Sequence, residues 1–277
     1  MPSVKASDGA SLHWEGRGAG PTILLVPYWS MHPSVFDNLE AILEPDHHVV
    51  RFDERGSGKS ARSGPYDLAT GISDLEAVCE ELGRVDVALC LVDASNRAVR
   101  IADSRPDLLR TVVCMGSAPF GVGPLRGSDS LISSEAVIGA FLQQLEADPR
   151  GAIRAALAGA NTGLSEDELR DRVHSQLEYI DSEAATERAR AWASDGSAVE
   201  PAQRIGDRLY VCLSPAMGGA DSWFPAATEM EPIVRDLFPE ARVLWTSDGI
   251  ISSPGEAAAV IRSAASIEAV PAYDRPE

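Results

Sequence analysis

The stretch Val87-Ala88-Leu89-Cys90-Leu91-Val92-Asp93-Ala94-Ser95-Asn96-Arg97 decides the fold. It reads as a buried strand running into a sharp turn with Ser95 at the tip, followed by a short helix to about Ser104. A strand that is apolar on both faces belongs in the middle of a parallel sheet. Working outward, Thr22-Ile23-Leu24-Leu25-Val26 has the same character, and His48–Phe52, Thr111–Met115, Leu209–Leu213 and Arg242–Trp245 also read as strands. Helical spacing fills the gaps: residues 34–43 (Val35, Leu39, Ile42, Leu43), 74–82 with Ser73 as N-cap, 226–238 and 255–265. Val4-Lys5-Ala6 and Ser11–Trp14 flank Asp8-Gly9, a hairpin signal. Strands alternating with helices predict an α/β protein with a mostly parallel central sheet.

The rhythm changes after the strand ending at Met115. From about Phe120 to Glu200 the chain carries four helical patterns (133–145, 149–157, 165–179 and 182–193) and no strand. A domain of about 150 residues is typical, yet α/β folds of this length often form a single unit. The expected organisation is one core made of residues 1–119 and 201–277, with 120–200 as a helical cap or lid over the C-terminal edge of the sheet.

Lys and Arg number 24 against 42 Asp and Glu, a net charge of −18. An acidic protein is repelled by nucleic acid and by anionic membrane surfaces, so neither is an expected partner. No apolar run approaches the ~20 residues that span a bilayer, and the polar start MPSVKASDGAS has no apolar signal region. Cys79, Cys90, Cys114 and Cys212 form no CxxC or Cys/His cluster, so no metal site is expected and the thiols read as small buried hydrophobes. The expected location is the cytoplasm. No cofactor motif is present: Gly56-Ser57-Gly58-Lys59-Ser60 looks like the end of a phosphate loop, but Asp53 stands where that motif needs glycine.

Five pieces in order then resemble the α/β-hydrolase fold family across nearly the whole chain. The hairpin at Asp8-Gly9 precedes the strand TILLV and the loop Pro27-Tyr28-Trp29. Asp53-Glu54-Arg55-Gly56-Ser57-Gly58-Lys59-Ser60 looks like the family's D-x-R-G-x-G-x-S turn. The third piece is the turn after Leu91, with Arg105-Pro106-Asp107 closing its helix. The fourth, Gly218 to Pro225, fits the pattern around the family's catalytic acid, and the fifth, Asp248-Gly249-Ile250, stands where the family carries Gly-His.

The resemblance implies a nucleophile, an acid and a histidine in that chain order. Matched by position, Asp221 is the acid and Ser95 the nucleophile, while Ile250 holds the place of the base and cannot accept a proton. The frame Gly-x-Ser-x-Gly has lost its glycines to Asp93 and Arg97. Pro27 and Tyr28 stand where the oxyanion loop usually has His-Gly, and proline offers no N–H. The helix from Ser95 to Pro106 is about a turn short for the family. A shifted register makes Asp93 the nucleophile, as in haloalkane dehalogenases and epoxide hydrolases. Of the five histidines, His32 is the best substitute base; the loop from Pro27 to His32 also resembles hydrolase domains attached to bacterial nucleotide cyclases. Trp29, Asn96 and Trp223 join Pro27, Tyr28 and Ile250 as expected pocket residues.

Three functions follow as expectations. The first is hydrolysis of a small ester or amide by an atypical site. The second is a pseudo-hydrolase that binds a small molecule without turnover. The third is an aspartate-nucleophile or lyase-type enzyme using Asp93, Asp221 or His32. A small-molecule substrate or ligand is the expected partner in each, with no cofactor, and homo-oligomers are compatible with all three.

Overall fold

The computed structural model describes residues 2–28, 31–120, 135–160, 165–196, 198–215, 226–247 and 253–266. The chain opens with the hairpin β1 (Ser3–Lys5) and β2 (Ser11–Arg17), turning at Gly9 with φ 88°. Next come β3 (Thr22–Val26), a 3-10 turn (Pro33–Phe36) continuing into α1 (Asp37–Leu43), and β4 (His48–Phe52). They are followed by α2 (Leu68–Leu82), β5 (Val85–Leu91), α3 (Asp93–Ser104) and β6 (Leu109–Met115). The described chain is then helical: α4 (Glu135–Ala147), α5 (Pro149–Ala160), α6 (Glu166–Tyr179), α7 (Ser182–Ser194) and α8 (Val199–Ile205). β7 (Leu209–Leu213), α9 (Ala227–Leu237), β8 (Arg242–Trp245) and α10 (Pro254–Ser266) complete it.

The strands lie in the order β1-β2-β4-β3-β5-β6-β7-β8. β2 is antiparallel to both neighbours and all other pairs are parallel. Alternate residues of the central strands feed two separate cores. Leu24, Val26, Ala88, Cys90, Val112 and Cys114 pack with α2, α3, α8 and α9 on one face. Ile23, Leu25, Val87, Leu89, Val113 and Met115 pack with α1 and α10 on the other. That division is the period-2 geometry of a strand buried on both sides. The four cysteines are buried and free, as expected, and burial pushes the Cys79 and Cys212 thiols up to about 12. No described helix is long and apolar enough to cross a membrane.

Two elements differ from the sequence expectation. α2 starts at Leu68 rather than Asp74, capped by Asp67, whose carboxylate accepts from the Thr70 N–H at 2.8 Å. Ser73 lies inside the helix, its hydroxyl 3.0 Å from that of Ser7. Leu68 and Ile72 carry the apolar spacing of Leu75 back to the start of the helix, with Thr70 and Gly71 between them interrupting the pattern. α8 was not expected either. It is seven residues long, and its apolar residues Ala202 and Ile205 join the first core.

The turn after β4 is fixed by charge. Arg55, 2% exposed, donates to both carboxylate oxygens of Asp74 in α2 (2.9 and 2.7 Å) and to Asp8 in the first hairpin (2.6 and 3.0 Å). At the opposite end of the sheet, Arg262 of α10 donates to Asp46 (2.9 and 3.0 Å) and to the Ile42 carbonyl (2.8 Å). These bonds hold the Asp46 carboxyl down at about 2. A depressed carboxylate pKa stabilises the fold fully above the unfolded value and loses that contribution as pH falls through the folded one. Because Asp46 is half exposed, the amount is small, under about 1 kcal/mol. Urea titrations of Asp46→Asn should therefore match the parent at pH 2 and fall below it by up to that amount at pH 6.

Candidate ligand site at the strand–helix elbow

The chain leaves the centre of the sheet at β5 and reverses into α3 within one residue. That residue is Val92, with φ 47° and ψ −114°. Among the described residues it is the one non-glycine residue with positive φ. A β-branched side chain is a clear outlier there. The apex of the turn is thus Val92, with Asp93 beginning the helix and Ser95 one turn further on.

Ser95 is fully buried. Its hydroxyl donates back to the Val92 carbonyl at 2.6 Å, and the Ser117 hydroxyl at the end of β6 donates to the same oxygen at 3.4 Å. Asp93 is 6% exposed and its carboxylate lies 3.0 Å from the Arg97 guanidinium, one turn along α3. Asn96, equally enclosed, donates to Asp195 at 3.0 Å.

Arg97 continues inward to Glu54 of the turn after β4, at 2.6 Å, and Arg188 of α7 grips the other oxygen of that carboxylate. Burial pushes the Glu54 carboxyl up, but the charges of Arg188 and Arg97 outweigh it and hold the group below its ordinary value. Gly71 in α2 leaves room for this path: a Cβ there would stand 3.1 Å from Cδ of Arg97.

His32 sits on the loop that follows β3 and Pro27-Tyr28. Its Nδ1 accepts from the Ser34 N–H at 3.1 Å, capping the 3-10 turn, and its own N–H donates to Gln176 of α6 at 2.7 Å. Its ring packs edge-on to Tyr179, with centroids 4.7 Å apart. Burial pushes the imidazole below its ordinary value, so the ring is neutral near pH 7. The Ser95 hydroxyl makes no bond to it. Pro27 is buried, and Tyr28 packs against both the second core and a cluster formed by Leu145, Ala152 and Ile180 of the helical segment. The remaining expected site residues, Trp29, Asp221, Trp223 and Ile250, lie outside the described residues. No group of three or more His, Cys, Asp or Glu that would hold a metal occurs among the described residues.

No protein-family model matches the chain. It is 32% identical over 115 residues to a pimeloyl-[acyl-carrier protein] methyl ester esterase of Vibrio campbellii, a match spanning 42% of this chain and 39% of that protein. Solved structures are similar over much more of it. An esterase from Exiguobacterium antarcticum superposes with a TM-score of 0.76 at 14% identity, covering 95% of this chain and 98% of its own. A thermophilic esterase from Thermogutta terrifontis gives 0.73 at 18%, covering 95% and 96%. The enol-lactonase from Burkholderia xenovorans LB400 gives 0.68 at 18%, covering 95% and 97%. The chain has the α/β-hydrolase fold.

In an α/β-hydrolase fold the nucleophile occupies the strained strand-to-helix residue. Sequence reading set the elbow tip at the first hydroxyl, Ser95, or at the first carboxylate, Asp93. It passed over Val92, because an apolar residue continues the strand pattern. The usable signal is helix length: from Ser95 to Pro106 the helix is about a turn short for the family, whereas α3 begins at Asp93 and has 12 residues.

Backbone strain at such a residue is of order 1–3 kcal/mol. Val92→Gly removes it together with a buried isopropyl group, and is expected to leave stability within about 1 kcal/mol of the parent. Val87→Gly, in the same strand but unstrained, is expected to cost about 3 kcal/mol or more. Equal losses at the two positions in urea titrations would rule out strain at the elbow.

Proposed function

We propose that this α/β-hydrolase-fold protein binds a small molecule at the C-terminal edge of its sheet without forming a covalent intermediate on the elbow. One observation carries the reading: the side chain at the apex is the isopropyl group of Val92, which has no nucleophilic atom. The neighbouring candidates support it. A serine nucleophile needs access to substrate and a base that takes its proton, yet the Ser95 hydroxyl is enclosed and donates to a backbone carbonyl. Asp93 is enclosed and its carboxylate is held by Arg97 at 3.0 Å, one residue past the apex. The Nδ1 of His32 is engaged as a helix cap. Ile250, on the family resemblance, leaves the base position empty of proton-accepting chemistry.

The hydrolytic alternative rests on likeness to proteins described as esterases and an enol-lactonase. Fold alone does not decide between the two, since one fold hosts many functions. The net charge of −18 supports a small-molecule ligand over nucleic acid. We place the helical segment between β6 and β7 as a cap over the C-terminal edge of the sheet.

The purified protein is expected to remain unlabelled by a fluorophosphonate and to give neither burst nor turnover with p-nitrophenyl acetate or butyrate. A screen of small carboxylic acids, esters and lactones is expected to raise its melting temperature with at least one compound. Ester turnover that Ser95→Ala abolishes would overturn the proposal in favour of an atypical hydrolase.

A further inference from the structure

Four charged side chains form a buried chain from the elbow to the helical segment: Asp93, Arg97, Glu54 and Arg188, all under 8% exposed. Asp93 is the residue directly after the apex, and Arg188 lies on α7. Arg188 also donates to the Arg55 carbonyl at 2.5 Å, in the same turn that Asp8 and Asp74 fix. Around this chain the backbone adds a second grip. The Gly58 N–H donates to the Tyr179 carbonyl at 2.7 Å, the Asp181 N–H donates to the Gly56 carbonyl at 2.8 Å, and Ser57 and Ile180 form an antiparallel bridge between them. The Tyr179 hydroxyl donates to Asp53 at 2.9 Å. A side chain at Gly56 would collide with Ala184 of α7, so the approach is as close as a glycine allows.

We infer that α7 is locked to the elbow by this buried ion chain, so that the two move as one body and α7 does not open as a hinged lid. The reason is the desolvated charge. Lifting α7 would strip Glu54 of Arg188 while leaving the carboxylate enclosed, and losing one partner of a buried pair is strongly destabilising. A lid drawn from the low-stability end of the structure would instead have few buried contacts and many exposed ones. The inference holds whether or not the site turns over a substrate, and its test does not use activity.

Amide hydrogen exchange of the full chain reads it directly. In the parent protein the central amides of α7 should exchange within about tenfold of those of α3. Arg188→Met, which keeps the stem's volume but removes the charge, should speed exchange in α7 by roughly 100-fold or more while β5 and β6 stay slow. Arg190→Met, on the exposed face of the same helix where Arg190 meets Glu146, should leave α7 unchanged. The inference is overturned if α7 of the parent exchanges far faster than α3, or if Arg188→Met does no more than Arg190→Met. Should Arg188→Met fail to fold, the comparison of α7 with α3 in the parent still decides the matter.

Discussion

A β-branched residue held at φ 47° is the constraint on which the rest of this structure turns. β5 lies in the middle of a parallel sheet, so its chain must reverse at once to lay α3 back along the face it came from. The reversal costs backbone energy at Val92, and such strain persists only where neighbours over-determine it. Here they do. The Ser95 and Ser117 hydroxyls both donate to the Val92 carbonyl, and Ala94, Ala98 and Ala102 of α3 let the helix sit close to the first core.

Charge extends that constraint outward. Asp93 begins α3 immediately after the apex, Arg97 follows one turn later, and Glu54 and Arg188 carry the chain into α7. A buried carboxylate between two guanidiniums adds little net stability over an apolar replacement, but it is intolerant of partial loss. Its effect is to fix relative position. The turn after β4, which the family resemblance picks out by its glycines and its Asp-x-Arg spacing, therefore serves as a junction. Arg55 reaches one way to the first hairpin and α2, and Glu54 the other way to α3 and α7.

Much of the architecture was legible in the sequence because the sheet is buried on both faces. Runs such as TILLV and LYVCL are apolar enough to be placed to the residue, and the helical stretch between β6 and β7 stands out by its lack of strand patterns. The site was less legible, for two physical reasons. An apex made of valine looks like strand, so polarity located the turn three residues late. Arg188 is 134 residues from Glu54 in the chain and has no local pattern that marks it as a partner. Sequence reading did see that the nucleophile turn departs from the family frame. It could not see that, with Val92 at the apex, the glycine positions of that frame fall on Cys90 and Ala94, while Asp93 and Arg97 lie inside α3 and pair with each other.

That pairing changes the meaning of Ser95. In the linear sequence it is the one hydroxyl beside the turn, which makes it the natural nucleophile. In the fold its hydroxyl faces back along the helix and satisfies the carbonyl of the strained residue, an acceptor that would otherwise be buried beside an outlier backbone. A hydrogen bond of this kind is worth roughly 1 kcal/mol, and at 2.6 Å it is the shortest of those made to this oxygen, which the Ser117 hydroxyl also reaches. Ser95 therefore braces the elbow from inside α3, and the side chain at the apex is that of Val92. The scaffold keeps the sharp strand-to-helix corner of the α/β-hydrolase fold while placing an isopropyl group at its tip, and the proposal of non-covalent binding rests on that geometry.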